Sequence, residues 1–135
     1  MMETILTELE NLEEAFGLKI NKKKTVFLSN KKEYDSIQEI RGIKRAEKVK
    51  YLGMMIFKDP KEIVRDAKAS IRRNVTVVKS RLRLLSIPAK ELVMQSFVRS
   101  LLIYFTVPLV AAKMLTLKEV DSIEREYFKE ILNAP

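Results

Sequence analysis

The chain has 135 residues, 47% of them apolar, and carries 26 Lys and Arg against 18 Asp and Glu, a formal net charge of +8. Length and apolar content predict one domain, or a compact piece of one, with a single core, and argue against disorder. Cysteine and histidine are absent, which excludes disulfides, Cys/His zinc sites, thiol nucleophiles and triads that run through imidazole.

Chemistry, if any, would fall to carboxylates, lysines, hydroxyls or a hard cation on oxygen ligands. Met1–Glu10 lacks the basic start and apolar core of a secretory leader. With no cysteine either, an intracellular setting is expected. Residues 1–16 hold five glutamates and no cation, residues 17–85 sum to +13, and residues 86–135 balance. A basic block of that size points to a polyanionic partner, nucleic acid before membrane.

Ile5, Leu6, Leu9, Leu12 and Phe16 share one face of a predicted acidic helix that stops at Gly17. Lys19, Lys22, Lys23 and Lys24 follow in a turn that Asn21 can organise, and a short strand is expected over Thr25–Ser29. Asn30–Ile40 is polar with weak helical periodicity up to Gly42. Val49–Phe57 reads as the best strand in the chain, with Gly53 marking a bulge or a close backbone approach.

From Pro60 the pattern is helical. Ile63, Ala67, Ile71, Val75, Val78, Leu82 and Leu85 form an apolar seam, with Arg65, Lys68, Arg72, Arg73, Lys79, Arg81 and Arg83 mostly off it. Ser86 and Pro88 begin a second helix, increasingly apolar and expected to kink or end at Pro108. Its apolar run Leu101–Ala112 is shorter than the roughly 20 residues that span a bilayer, so no membrane partner is expected. Thr116 with Glu119 is a capping box opening a third helix, whose stripe is Leu117, Val120, Ile123, Tyr127, Ile131 and Leu132. The expected fold is α+β, with a helix and small antiparallel sheet over residues 1–58 and a three-helix bundle over 59–135.

Two motifs in this order carry a resemblance. Gly17, Leu18, Asn21, Lys24 and Thr25, followed by Lys50, Tyr51, Leu52 and Gly53, resemble motifs D and E at the end of the palm in reverse transcriptases of the non-LTR retrotransposon (LINE-like) kind. Lys61–Ile71, Leu101–Tyr104 and Arg125–Pro135 are similar to that family's helical thumb and its exit. The family often has Gly after the thumb Tyr and a later Trp; here Phe105 follows Tyr104 and Trp is absent.

The resemblance implies a fragment that binds a template–primer RNA or RNA–DNA duplex. It places Lys24 at the motif D lysine, which approaches the phosphates of the incoming nucleotide, and Gly53 where backbone meets the primer. The family's metal-binding Asp-Asp pair occurs nowhere in this sequence, so catalysis is not expected of this chain alone, and Mg²⁺ is implied only for a full-length parent polymerase. The resemblance puts the chain's start just after that catalytic turn.

The expected nucleic-acid contacts are Lys22, Lys23, Lys24, Lys50, Gly53, Arg65, Lys68, Arg72, Arg73, Lys79, Arg81 and Arg83. The plainer reading of each lysine or arginine is a solvated face. Rival readings are a domesticated remnant serving as an RNA-binding or scaffold subunit of a ribonucleoprotein, or a basic helical protein-interaction module. The remainder of a palm and self-association through an exposed sheet edge are further expected partners.

Overall fold

The computed structural model describes residues 1–133. Ala134 and Pro135, the last residues of the segment likened to a thumb exit, lie outside the described residues. The fold is α+β: a helix, small sheets, then helices. It divides into two compact units, Met1–Lys48 and the remainder from Val49 onward. The second hairpin therefore goes with the helical unit, although the sequence had grouped residues up to 58 with the first.

In the first unit α1, Met2–Phe16, ends as expected at Gly17, whose left-handed φ of 69° lets its N–H reach the Glu13 carbonyl. β1 is only Val26–Phe27, shorter than the strand expected over Thr25–Ser29. The polar stretch after it forms a single 3₁₀ turn at Lys32–Tyr34, not an α-helix. β2, Glu39–Ile40, and β3, Ile43–Arg45, then make a hairpin. Its two-residue turn is Arg41–Gly42, both at positive φ, the backbone a tight hairpin of right-handed twist needs. Gly42 thus turns a hairpin and does not stop a helix. β3 is central: it pairs antiparallel with β2 and parallel with β1.

Leu6, Phe27 and Ile43 form the buried core of this unit, with Tyr34 edge-on to Phe27 at 6.4 Å. Arg41 ties the hairpin tip to α1 through Glu3 at 2.8 Å and Glu10 at 3.2 Å. Arg45, its side chain only 7% exposed, pairs with Glu47 and Asp35 and donates to the Tyr34 and Asp35 carbonyls. The predicted apolar face of α1 exists, but only Leu6 is buried; Ile5, Leu9, Leu12 and Phe16 are exposed.

β4, Lys48–Tyr51, which leads from the last residue of the first unit into the second, and β5, Met54–Phe57, are the arms of a hairpin. The single long strand expected over Val49–Phe57 is thus folded back on itself at Leu52 (φ 47°) and Gly53 (φ 85°). Leu52 in this left-handed region costs about 1 kcal/mol, which the strands on either side must offset.

α2, Pro60–Leu82, is capped by the Asp59 carboxylate, which accepts from the Lys61 N–H. Ile63, Ala67, Ile71, Val75 and Leu82 of the predicted seam are buried, Val78 partly so. Leu85 falls beyond the helix end and is exposed. α3, Ile87–Val93, runs through one wide π turn, Met94–Val98, into α4, Arg99–Ala111. Pro108 sits inside α4, which continues three residues past it and ends at Ala111.

The result is a 25-residue helical run, Ile87–Ala111, long and apolar enough by length and composition to cross a membrane. That differs from the shorter run read from sequence, because the helix joins Leu101–Ala112 to the turns before it. Met94, Val98, Leu102, Phe105 and Leu109 on one face of this run are buried in the bundle core with Ile131 and Tyr127. α5, Leu117–Leu132, starts at the predicted capping box: Thr116 Oγ1 accepts from the Glu119 N–H and the Glu119 carboxylate accepts from the Thr116 N–H. Tyr127 and Ile131 of its stripe are buried, whereas Leu117 is exposed.

Candidate nucleic-acid interface

The α2 cations follow helical spacing. Lys61, Arg65, Lys68, Arg72, Lys79 and Arg83 step by four, three, four, seven and four residues and so share one flank, while Arg73 and Arg81 lie off it. Opposite that flank, α5 carries Glu119, Glu126 and Glu130, spaced seven and four.

The two rows meet. Arg72 pairs with Glu126 at 2.9 Å and reaches Glu130 at 4.0 Å, and Lys79 pairs with Glu130 at 3.2 Å. The Arg72 guanidinium also lies 5.6 Å from the centre of the Tyr127 ring. Because the partner's number rises from 126 to 130 as α2 advances from 72 to 79, the two helices run parallel. Burial raises the Tyr127 phenol above its ordinary value, although the Arg72 charge opposes the shift. The Glu119 carboxyl is held low by hydrogen bonds from the Thr116 backbone and hydroxyl, with Lys68 adding to the effect.

The expected phosphate row is therefore divided. Arg72 and Lys79 tie α2 to α5, and Arg65 pairs with Glu62 on its own helix. Lys68 is exposed and acts on Glu119. Arg73 donates to the Ser70 hydroxyl at 2.8 Å. Arg81 and Arg83 are exposed at the C-terminal end of α2 and form no ion pair among the described residues. A positive block along the chain is not an equal block in space, since acids outside the block neutralise part of it.

In the other unit Lys22, Lys23 and Lys24 are exposed on a turn built by Asn21. The Asn21 carbonyl accepts from the N–H groups of Lys24 and Thr25 and from the Thr25 hydroxyl, and its side-chain oxygen accepts from the Lys24 N–H at 3.3 Å. Asn21 holds the turn, as its sequence position suggested, and leaves the three ammonium groups in solvent.

At the tip of the second hairpin Lys50, Tyr51, Leu52 and Gly53 are all exposed, Tyr51 at 63% and Leu52 at 73%. Tyr51 and Leu52 fall within the strand expected over Val49–Phe57; their exposure at its turn makes the aromatic ring part of the candidate surface. Gly53 has an internal reason to be glycine beyond its φ. A Cβ there would stand 3.3 Å from the Tyr104 hydroxyl, so its open side faces the protein's own side chain. Tyr104 is the supporting residue that sequence reading missed, and no periodicity pointed to it. Behind the tip, an apolar cleft of about 310 Å³ is lined by Tyr51, Leu52, Met54, Ile63, Tyr104 and Pro108 among others.

Ile63, beside this cleft, and Arg81 are 18 residues apart, five whole turns. Arg81 thus leaves α2 on the side against which the hairpin packs, about 27 Å further along its axis. Among the described residues no three His, Cys, Asp or Glu side chains cluster as a metal site. No protein-family model, curated protein or solved structure matches this chain.

Proposed function

We propose that this chain is a nucleic-acid-binding palm-end and thumb piece of the reverse-transcriptase-like kind, which holds an RNA or RNA–DNA duplex by its backbone and leaves catalysis to other residues. The observation that carries this reading is a set of exposed groups on the second unit. The Lys50–Tyr51 tip stands at one end of α2, and at the other stand Arg81 on the hairpin side and Arg83 on the opposite flank, neither in an ion pair among the described residues. Cations supply sequence-tolerant affinity for phosphates, and an exposed ring supplies a surface on which a base or sugar can pack.

The axial spacing of about 27 Å from Ile63, beside the cleft behind the tip, to Arg81 matches roughly eight to ten base pairs of duplex, the larger number for the shorter rise of an A-like RNA–DNA helix. Fluorescence anisotropy with RNA–DNA duplexes of increasing length tests this. Affinity should rise steeply up to about ten base pairs and then only gradually, and it should fall linearly on a log–log plot against salt. Length-independent binding that persists at high salt would refute it.

A protein-scaffold role is favoured by one specific observation, the exposed Ile5, Leu9, Leu12 and Phe16 face of α1, which offers apolar surface to a partner. Self-association by strand pairing has less support, because the edge strands are short, two residues each in β1 and β2 and four each in β4 and β5, and present few hydrogen-bonding groups.

A further inference from the structure

We propose that Ser86 is a phosphoacceptor site for a protein kinase whose substrate cleft reads arginines N-terminal to the serine. Several hydroxyls in this chain follow lysine or arginine, and the fold separates them. The Thr25 hydroxyl donates to the Asn21 carbonyl at 2.8 Å, Thr76 to Arg72 at 2.9 Å, Ser80 to Val77 at 2.7 Å and Ser100 to Ser96 at 2.7 Å. The last three also lie inside helices, where a kinase cannot lay the backbone out in extended form.

Ser86 itself differs on each count, and presenting its neighbours in extended form requires only the last turn of α2, with Arg81, and the first residue of α3, Ile87, to unwind. It sits in the short connection between α2 and α3, in extended conformation, exposed, with no side-chain cap bond. Arg83 is three residues before it and Arg81 five before, both exposed and without an ion pair among the described residues. Leu84 is 97% exposed and Ile87, directly after the serine, is 68% exposed. A cleft with carboxylates for the arginines and an apolar pocket for Ile87 fits this segment. Leu82 is buried and holds the last turn of α2 in place, so Arg83 is read directly and Arg81 acts through its longer-range field.

The transfer balances without further reagents. Ser86 Oγ attacks the γ-phosphorus of a nucleoside triphosphate bound by the kinase. The Oγ–P bond forms as the bond from that phosphorus to the bridging oxygen breaks, the hydroxyl proton passes to a kinase carboxylate, and nucleoside diphosphate leaves. The product places a charge of about −1.5 to −2 beside Arg83, converting a cationic corner to a balanced one.

The test uses the full chain, ATP and an arginine-directed serine/threonine kinase, with phosphate located by tandem mass spectrometry. One phosphate per chain on Ser86 is expected. S86A should abolish it and S86T should retain it. R83Q should lower kcat/KM about tenfold and R81Q about threefold, with circular dichroism unchanged. No incorporation, label on other hydroxyls with S86A unaffected, or an unchanged rate for R83Q would each overturn the proposal.

Discussion

The division of the α2 cations predicts that two pairs of substitutions behave in opposite ways. R72Q/K79Q removes the 2.9 Å bond to Glu126, the 3.2 Å bond to Glu130 and the guanidinium over Tyr127. These groups are a quarter to two-thirds exposed, so each ion pair contributes only about 0.5 kcal/mol, and the ring contact a further 0.5 kcal/mol or so. The sum is about 1.5 kcal/mol, or a fall in Tm of roughly 6–12 °C for a unit of this size. Urea denaturation followed by circular dichroism, with the midpoint moving and the slope constant, measures it. R81Q/R83Q removes charges with no ion-pair partner and should leave stability within about 0.5 kcal/mol. It should instead lower the salt slope of duplex binding by about two, because each phosphate contact contributes close to 0.9. A double variant R72Q/K79Q of unchanged midpoint, or R81Q/R83Q that binds with an undiminished salt slope, would refute the division.

Three other outcomes follow from the same geometry. G53A should cost about 1–2 kcal/mol in denaturant melts, since alanine is strained at φ 85° and its Cβ would meet the Tyr104 hydroxyl at 3.3 Å. I131A, which empties a fully buried site, should cost about 3–4 kcal/mol by the same measurement. The two shifted groups set opposite pH limbs. The lowered Glu119 carboxyl supports folding above its ordinary 4.5 and loses that contribution as pH falls through its folded value, so E119Q should flatten the acid limb. The raised Tyr127 phenol binds its proton more tightly when folded, so stability should decline as pH rises past about 10, and Y127F should remove that decline.

What the sequence revealed, and what it hid, follows from the range of the interactions. α1 and its Gly17 stop, the Thr116–Glu119 box and the α2 seam are local features, set by residues within a turn or two, and they stand where periodicity put them. Both hairpins were missed. Arg41–Gly42 and Leu52–Gly53 are turns with an unusual first residue, and a left-handed leucine or arginine leaves no sign in an apolar pattern. The ion-pair rows were missed because they join residues more than 50 positions apart. Yet the signal was present, since Glu119, Glu126 and Glu130 share the seven-and-four period of one helical face. The turn lysines and the tip residues Lys50 and Gly53 are exposed, but exposure was not predictable for Tyr51, whose neighbours in sequence suggested a buried strand.

The thin anchorage of α1 has a consequence for exchange of its amide hydrogens. Leu6 is the one buried side chain of this 15-residue helix; Met2 at its start and the exposed Arg41 pairs to Glu3 and Glu10 supply the rest of its attachment, and helices of that length are marginal alone in water. Its C-terminal half, from Leu9 to Phe16, should open and exchange with solvent deuterium far below the cost of global unfolding, while Leu102 and Phe105 in α4 exchange only when the bundle opens. The helix therefore serves as a built-in gauge of occupancy: whatever covers Leu12 and Phe16 will register as slowed exchange in this one segment, before any partner has been identified.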